Sequence, residues 1–198
     1  MANSKVKYGL RHVMFAVVTE TVNQDGTTTS SYGSLTSWPG AVSISLAPQA
    51  SKSVFRADDS DYYVSYGDGS IEGDFESAMV PETLKEALGW TARDDDDIAV
   101  ESATNYRETK YVALLFEIDG DQTATRHCLY KCSMSRPAIA SQTTGENGQK
   151  EPISETLTVT AIPRADEDRY IHAYADGTTK TTAYDDWYDA VPVPTFTP

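Results

Sequence analysis

Three carboxylates in one short run are the residues whose types and spacing could do chemistry. Glu72, Asp74 and Glu76 alternate with other residues, so in a strand all three side chains share one face. Two carboxylates can act as acid and base on a glycosidic bond, and carboxylate oxygens also suit calcium. Three like charges this close repel one another, which favours a wet, open surface over a tuned acid–base pair.

The other groups that could carry chemistry are scattered. His12, His127 and His172 fall on separate strand-like runs, and the chain contains no metalloprotease, nucleophile-elbow or phosphate-binding motif. The acidic runs 58–61 and 94–97 do not follow the twelve-residue spacing of a calcium loop. We therefore expect no enzymatic activity, no cofactor and no metal site, with exposed loops at the acidic runs.

Cys128 and Cys132 are the two cysteines of the chain. On one regular strand they would point the same way and lie about 13 Å apart, which is too far for a disulfide. Two free, buried thiols suit a reducing compartment. The first ten residues lack the apolar core of a signal peptide, and no run is long enough to span a membrane. We expect synthesis in the cytoplasm and no membrane partner.

The elements that must position these residues are mostly strands. The clearest is a hairpin in which residues 111–118 and 127–134 flank a turn at 119–122. One helix is predicted over 81–88, ended by Gly89, and the wealth of Thr, Ser, Tyr and Val favours an all-β class. Further strands are predicted at 12–19, 41–47, 71–80 and 153–162. In the second arm of the hairpin, regular alternation would place four side chains on one face: Cys128, Tyr130, Cys132 and Met134.

The net charge of −14 is unevenly distributed. Residues 1–57 carry +3, whereas residues 58–101 carry −12. A chain this acidic, with no basic cluster, is not expected to bind nucleic acid specifically. The charge has two interpretations: it keeps the protein soluble, or the basic N-terminal part of one copy meets an acidic part of another.

The chain resembles the major tail tube proteins of long-tailed, non-contractile bacteriophages, especially those that infect Gram-positive hosts. The resemblance extends nearly from end to end and depends on an ordered series of short pieces. These are KVKYGL (5–10), PGAVSISLAP (39–48), ADD (57–59), EGDFESA (72–78), LLFEIDGDQTATRHCLY (114–130), SRP (135–137), TLTVTAIPR (156–164) and YDDWYDAVPVP (184–194).

The resemblance implies a mainly β fold: a tail-tube-type β-sandwich or barrel with one short flanking α-helix, extended arms and long loops. It divides the chain into an N-terminal arm (1–10), a β-sandwich domain (11–183) and a Pro-rich tail (184–198). It also implies a structural protein of the virion tail, assembled in the host bacterial cytoplasm as stacked, hexameric rings. The implied partners are further copies of the chain, the tape-measure protein, the tail terminator and distal tail proteins, and genomic DNA in passage through the lumen.

Two sets of residues follow as candidates for such a role. A tube wall needs a polar face toward its channel and contacts toward its neighbours. The candidate lumen-lining residues are Glu72, Asp74, Glu76, Ser43, Ser45, Thr158 and Thr160. The candidate inter-subunit contacts are Lys5, Lys7, Tyr8, Arg11, Trp38, Trp187, Tyr188 and Phe196, and the apolar tail is expected to lie along a neighbour. A carbohydrate-binding or adhesin-like β-sandwich on the virion surface is the alternative function.

Overall fold

The computed structural model describes residues 4–50, 52–67, 69–103, 109–144, 148, 150, 152–178 and 182–196. The ends of the predicted arm and tail (1–3 and 197–198) therefore lie outside the described residues. The fold is mainly β, as predicted. Its strands are β1 (Lys7–Val22), β2 (Thr28–Tyr32), β3 (Thr36–Ser37), β4 (Ala41–Gln49), β5 (Lys52–Ala57), β6 (Ser60–Tyr66), β7 (Ser70–Ser77), β8 (Ala92–Arg93), β9 (Ala99–Val100), β10 (Tyr111–Gly120), β11 (Thr125–Met134), β12 (Glu155–Ala161) and β13 (His172–Asp176); the helices are α1 (Glu82–Ala87) and α2 (Thr182–Asp185).

Nine strands form one antiparallel sheet in the order β2-β1-β10-β11-β12-β7-β4, with β3 on β1 and β13 on β11. The predicted hairpin, β10–β11, lies at its centre. The sheet divides along β11, because residues 125–129 pair with β13 and residues 132–134 pair with β12. The part formed by β12, β7 and β4 therefore diverges from β13. In the described residues β4 pairs on one side only, with β7, so its other side is an open edge.

The main core lies on the inner face of this sheet. Side chains from β1, β10, β11, β12 and β7 meet there, and α1 adds Leu84 and Leu88. Trp38 lies at the centre: its side chain is 1% exposed, and its indole N–H donates to Ser77 Oγ at 3.0 Å. Trp38 is therefore a core residue, which corrects its selection as an inter-subunit contact. The sequence could not distinguish the two roles because a Trp beside a Pro-Gly turn suits either.

A second apolar layer covers the outer face of β1, β10 and β11. The C-terminal segment supplies Trp187 and Val191, which pack with Leu115 and Cys128, and the Tyr130 hydroxyl donates to the Pro192 carbonyl at 2.7 Å. The tail thus lies on its own domain, which corrects the expectation that a neighbour would cover it. Trp187 is buried and Tyr188 is half-buried, so the apolar surface of these side chains is satisfied within the chain.

A β-bulge in β11 changes which residues face the core. Leu129 pairs with Leu114 and Cys132 with Val112, so two residues of β11 oppose the single residue Ala113. Cys128 therefore packs in the outer layer, whereas Cys132 packs in the main core. Both thiols are free and buried, as predicted. The prediction that they share a face was wrong, because a bulge reverses the alternation beyond it.

The helix α1 matches its prediction, and Gly89 follows it with φ +72°, the left-handed conformation that glycine adopts at a helix end. The short helix α2 was not predicted. The N-terminal arm is partly strand, because Lys7 and Tyr8 pair with Gly120 and Asp119. Neither helix in the described part of the chain is long and apolar enough to cross a membrane.

Candidate functional site

The structure brings all seven candidate lumen-lining residues onto one face. Strand β7 lies between β4 and β12, and each carboxylate has a partner on at least one side. Asp74 pairs with Ser45 of β4 and with Thr158 of β12. Glu72 and Glu76 likewise each pair with one residue of β4 and one residue of β12. The face lies opposite the main core, because the intervening residues Leu157, Val159 and Phe75 are buried. We call this set the acidic face: Glu72, Asp74, Glu76, Ser43, Ser45, Thr158 and Thr160.

Hydroxyl groups bind the carboxylates of the acidic face. Ser43 Oγ donates to Glu76 Oε2 at 3.0 Å, the Ser154 hydroxyl binds the other oxygen of Glu76, and Thr158 Oγ1 donates to Asp74 Oδ1 at 3.2 Å. The bonds from Ser154 and then Ser43 lower the pKa of Glu76 below its usual value. A carboxylate so stabilised as an anion is a poor general acid at neutral pH, so the geometry favours a persistently negative surface.

Sequence reasoning missed the role of Ser154 in this face. Ser154 lies just before β12 and keeps the two-residue period of Thr156, Thr158 and Thr160. Its hydroxyl reaches Glu76 because β12 pairs with β7 along its whole length. Alternation within the predicted strand at 153–162 is the signal that could have identified Ser154, and the register of β12 against β7 explains its contact with Glu76.

A projecting hairpin continues the edge of this face. Strands β5 and β6 follow directly on β4 and precede β7, and among the described residues they pair only with each other. The apolar and aromatic residues at 54–55 and 62–66 indicate two short strands, but nothing in the sequence shows that they extend away from the domain. Unusually for a soluble domain, most of their large side chains are exposed: Val54, Phe55, Tyr62, Tyr63, Val64 and Tyr66. We call residues 52–66 the aromatic hairpin.

Of the predicted contact residues, those in the N-terminal arm and at the start of β1 are accessible, and so is Phe196. Lys5, Lys7 and Arg11 are exposed, as is Tyr8. Phe196 is 77% exposed and rests its ring edge near Tyr170. The backbone around Lys5 is held by its own chain, because its amide donates to Asp121 Oδ1 at 2.7 Å. These side chains can reach a neighbour only from an arm that is already fixed on the sheet.

The place where the sheet divides forms an open apolar cavity of about 410 Å³. Two histidines stand at its rim: the rings of His127 and His172 are stacked, with His127 Nδ1 3.0 Å from His172 Nε2. The Phe116 ring stacks on the other side of His127. We call this cavity the mouth; its lining is Ile44, Ser45, Leu46, Pro48, Ile71, Phe116, Ile118, His127, Leu129 and His172.

The stacked histidines predict a loss of stability in mild acid. Burial is the main cause that lowers the pKa of His127 to about 4, and the nearby His172 and Lys7 add to it. Because an unfolded histidine has a pKa of about 6.5, the unfolded chain binds the extra proton between those pH values. Between pH 7 and pH 5, the unfolding free energy of the parent should therefore fall by about 1–2 kcal/mol more than that of the His127→Phe variant.

Urea unfolding at the two pH values would measure this difference. Carboxylates titrate equally in parent and variant, so the comparison isolates the histidine. A control variant, Tyr174→Phe, alters an exposed ring beside His127 and leaves both imidazoles in place. Equal acid sensitivity of the His127→Phe variant and the parent would contradict the prediction.

Comparison of the chain with protein-family models and with curated proteins gave no match in either case.

Proposed function

We propose that this protein is a structural subunit that polymerises as stacked rings, expected to be hexameric, into the tail tube of a long-tailed bacteriophage. The tube encloses the tape-measure protein during assembly and later conducts DNA into the host. The observation that carries the proposal is the acidic face. Seven residues, chosen from sequence as lumen-lining, form one polar surface on three adjacent strands, and the apolar core lies directly behind it.

A sheet with one polar and one apolar face is suited to a wall between a watery channel and a protein interior. Persistent negative charge on the channel side would repel the phosphates of passing DNA and keep it from sticking. The hydroxyl–carboxylate bonds support this, because they hold Glu76 as an anion. The resemblance of the sequence to tail tube proteins supports the same function.

The open edge of β4 supports assembly into rings. An unpaired strand edge is a ready site for another chain, and β4 carries both the acidic face and, through the aromatic hairpin, a second exposed surface. When identical subunits join edge to edge around an axis, the unpaired backbone groups are satisfied and the ring closes. Each acidic face would then become part of a continuous lining.

Electron microscopy of the purified protein over a range of concentrations tests the proposal. We expect uniform hollow rings at low concentration and stacked cylinders at high concentration. A protein that remains monomeric or trimeric at every concentration, as judged by light scattering on the same samples, would overturn it.

The aromatic hairpin favours one other function, a carbohydrate-binding module on the virion surface. Exposed Phe55, Tyr62 and Tyr63 could stack on sugar rings, as aromatic side chains do in many binding sites. The same microscopy discriminates, because such a module acts singly or as a trimer. Binding to glycans of the host cell wall, lost on Tyr62→Ala and Tyr63→Ala substitution, would support the alternative.

Reversing charge on the acidic face should slow DNA ejection. Phage carrying Glu72→Lys and Glu76→Lys would present cations to the phosphates, and we expect ejection several-fold slower than in the parent. The matched control, Glu167→Lys with Asp168→Lys, changes the net charge equally on an exposed segment outside the acidic face. Ejection followed by dye fluorescence at unchanged rate in the first variant would count against a lumenal position.

A further inference from the structure

Within the part of the chain that the structure describes, nothing covers the aromatic hairpin. Among the described elements, its strands make their substantial contacts only with each other, and isolated two-stranded hairpins are marginally stable in water. Phe55 pairs with Tyr63 on one face, and Val54 pairs with Val64 on the other, so apolar side chains lie on both faces. Exposures of 62% for Phe55 and 62% for Tyr63 mark a surface that a partner must cover.

The mouth is an apolar recess, whereas the aromatic hairpin is an apolar projection. It is apolar, open and about 410 Å³ in volume, which is within the range of pockets that accept small groups of atoms. Its lining comes from the ends of β4 and β7 on one side and from β10 and β11 on the other. The hairpin of the same chain starts at this rim and extends away from it, because β5 continues beyond β4.

The tip of the aromatic hairpin and the N-terminal arm beside the mouth carry opposite charges. The hairpin tip carries Asp58, Asp59 and Asp61, of which Asp61 pairs with Arg56 at 3.1 Å. Lys7 pairs with Gly120, two residues along β10 from Ile118 of the mouth, and Lys5 precedes it on the same arm. The acidic groups beside them are already engaged: Asp119 accepts from Arg11 at 2.5 Å, and Asp121 accepts from the Lys5 amide. The acidic tip and these ammonium groups are therefore complementary in charge.

We propose that the aromatic hairpin of one copy docks into the mouth of the next copy, with Phe55 and Tyr63 against the apolar lining and the acidic tip beside Lys5 and Lys7. This inference rests on the proposed function, because it names the partner surface within the assembly. The contact joins two different surfaces, so it repeats from copy to copy. Such head-to-tail contacts produce closed rings or filaments rather than isolated dimers.

Photocrosslinking within the assembled full-length protein tests the docking. The variant Phe55→p-benzoylphenylalanine carries the crosslinker on the hairpin, and a matched variant carries it at Ile139, which is fully exposed on a different segment. Each variant is prepared with natural and with ¹⁵N-labelled nitrogen and mixed before assembly. Peptides with one partner of each isotope come from two copies, which excludes crosslinks within one chain.

We expect mixed-isotope crosslinks from position 55 to peptides containing Ile44–Pro48, Ile71, Phe116–Ile118 or His127, and none to these peptides from position 139. Crosslinks from position 55 to another surface, in samples that form rings or tubes, would overturn the docking and leave the proposed function standing. Samples that form no assembly at any concentration would overturn both.

A second variant measures the energy of the contact. Phe55→Ser with Tyr63→Ser removes two apolar side chains from the hairpin, and we expect the concentration needed for assembly to rise at least tenfold. The folding midpoint of the monomer should not change, because neither residue belongs to the core. Assembly at the parental concentration would refute the docking. A control with Ser53→Ala and Ser65→Ala alters the same strand pair without removing aromatic surface.

Discussion

Substituting Gly73 by alanine should destabilise the protein by about 3 kcal/mol or more, since it forces backbone apart in the middle of a sheet. A Cβ at this position would lie 1.8 Å from the Ser45 carbonyl oxygen and 2.9 Å from Leu46 Cα. These are backbone atoms of β4, so no side-chain rotation can relieve the overlap. Glycine within a strand marks such a close approach. Chemical denaturation of the variant would measure the loss.

Gly69→Ala is the matched control for this substitution. Gly69 precedes the same strand, and a Cβ there would meet only the Gln49 carbonyl at 3.8 Å, which is ordinary contact. We expect its unfolding free energy to change by less than about 1 kcal/mol. Because Gly73 holds β4 against β7, its substitution should also disrupt the acidic face and prevent assembly. A Gly73→Ala protein as stable as the control would show that β4 can move at little cost.

Removing the Glu117 carboxylate should cost about 3–5 kcal/mol and lower the melting temperature by roughly 10 °C. The residue is 2% exposed on the outer face of β10. Its oxygens accept from Arg126 Nε at 2.8 Å, Arg11 Nε at 2.8 Å and His12 Nδ1 at 3.1 Å. In Glu117→Ala the mostly buried Arg126 would keep its charge without this counterion, and such an uncompensated charge is strongly destabilising.

The same cluster provides a control and a pH test. Arg11 is 53% exposed in its side chain, so Arg11→Ala should cost about 1 kcal/mol or less. Burial raises the pKa of Glu117, but the hydrogen bonds from Arg126, Arg11 and His12 outweigh it and the pKa is lowered. The cluster therefore stabilises the fold above the usual glutamate pKa and loses that contribution as the pH falls through the folded value. A Glu117→Ala melting temperature close to that of the Arg11→Ala protein would contradict this account.

The Arg126 cluster also holds the C-terminal segment in place. The guanidinium lies 4.0 Å from the centre of the Tyr184 ring and 5.1 Å from that of Tyr188, and it donates to the Tyr184 carbonyl. Loss of Glu117 would release Arg126 from one side of this arrangement. We expect part of the destabilisation by Glu117→Ala to come from partial loss of packing in the second apolar layer.

Periodic features of the fold were predictable from sequence. The central hairpin followed from alternation around a turn, and the acidic face followed because Glu72, Asp74 and Glu76 keep a strict two-residue period. Their assembly with the serines and threonines depended on β7 lying between β4 and β12. Sequence identified the polar faces of those strands but contained no information on their order in the sheet.

Features that depend on tertiary contacts were not predictable. The bulge at Tyr130 and Lys131 lets both side chains point outward, where Lys131 pairs with Glu20 at 2.6 Å. Nothing local in the strand requires that arrangement. Docking of the tail depends likewise on Arg126 and Tyr130, which are far from it in sequence. The apolar residues of the tail indicated that it packs against a protein surface. They did not indicate whether that surface belongs to the same chain or to a neighbour.

The burial of both cysteines has a practical consequence for labelling. Burial raises the pKa of both thiols, so neither supplies the thiolate that reacts with maleimide reagents. A single cysteine introduced on the surface would therefore be the selective attachment point for a fluorophore or spin label while both native thiols are retained. Distances between copies could then be followed by energy transfer or dipolar spectroscopy during polymerisation.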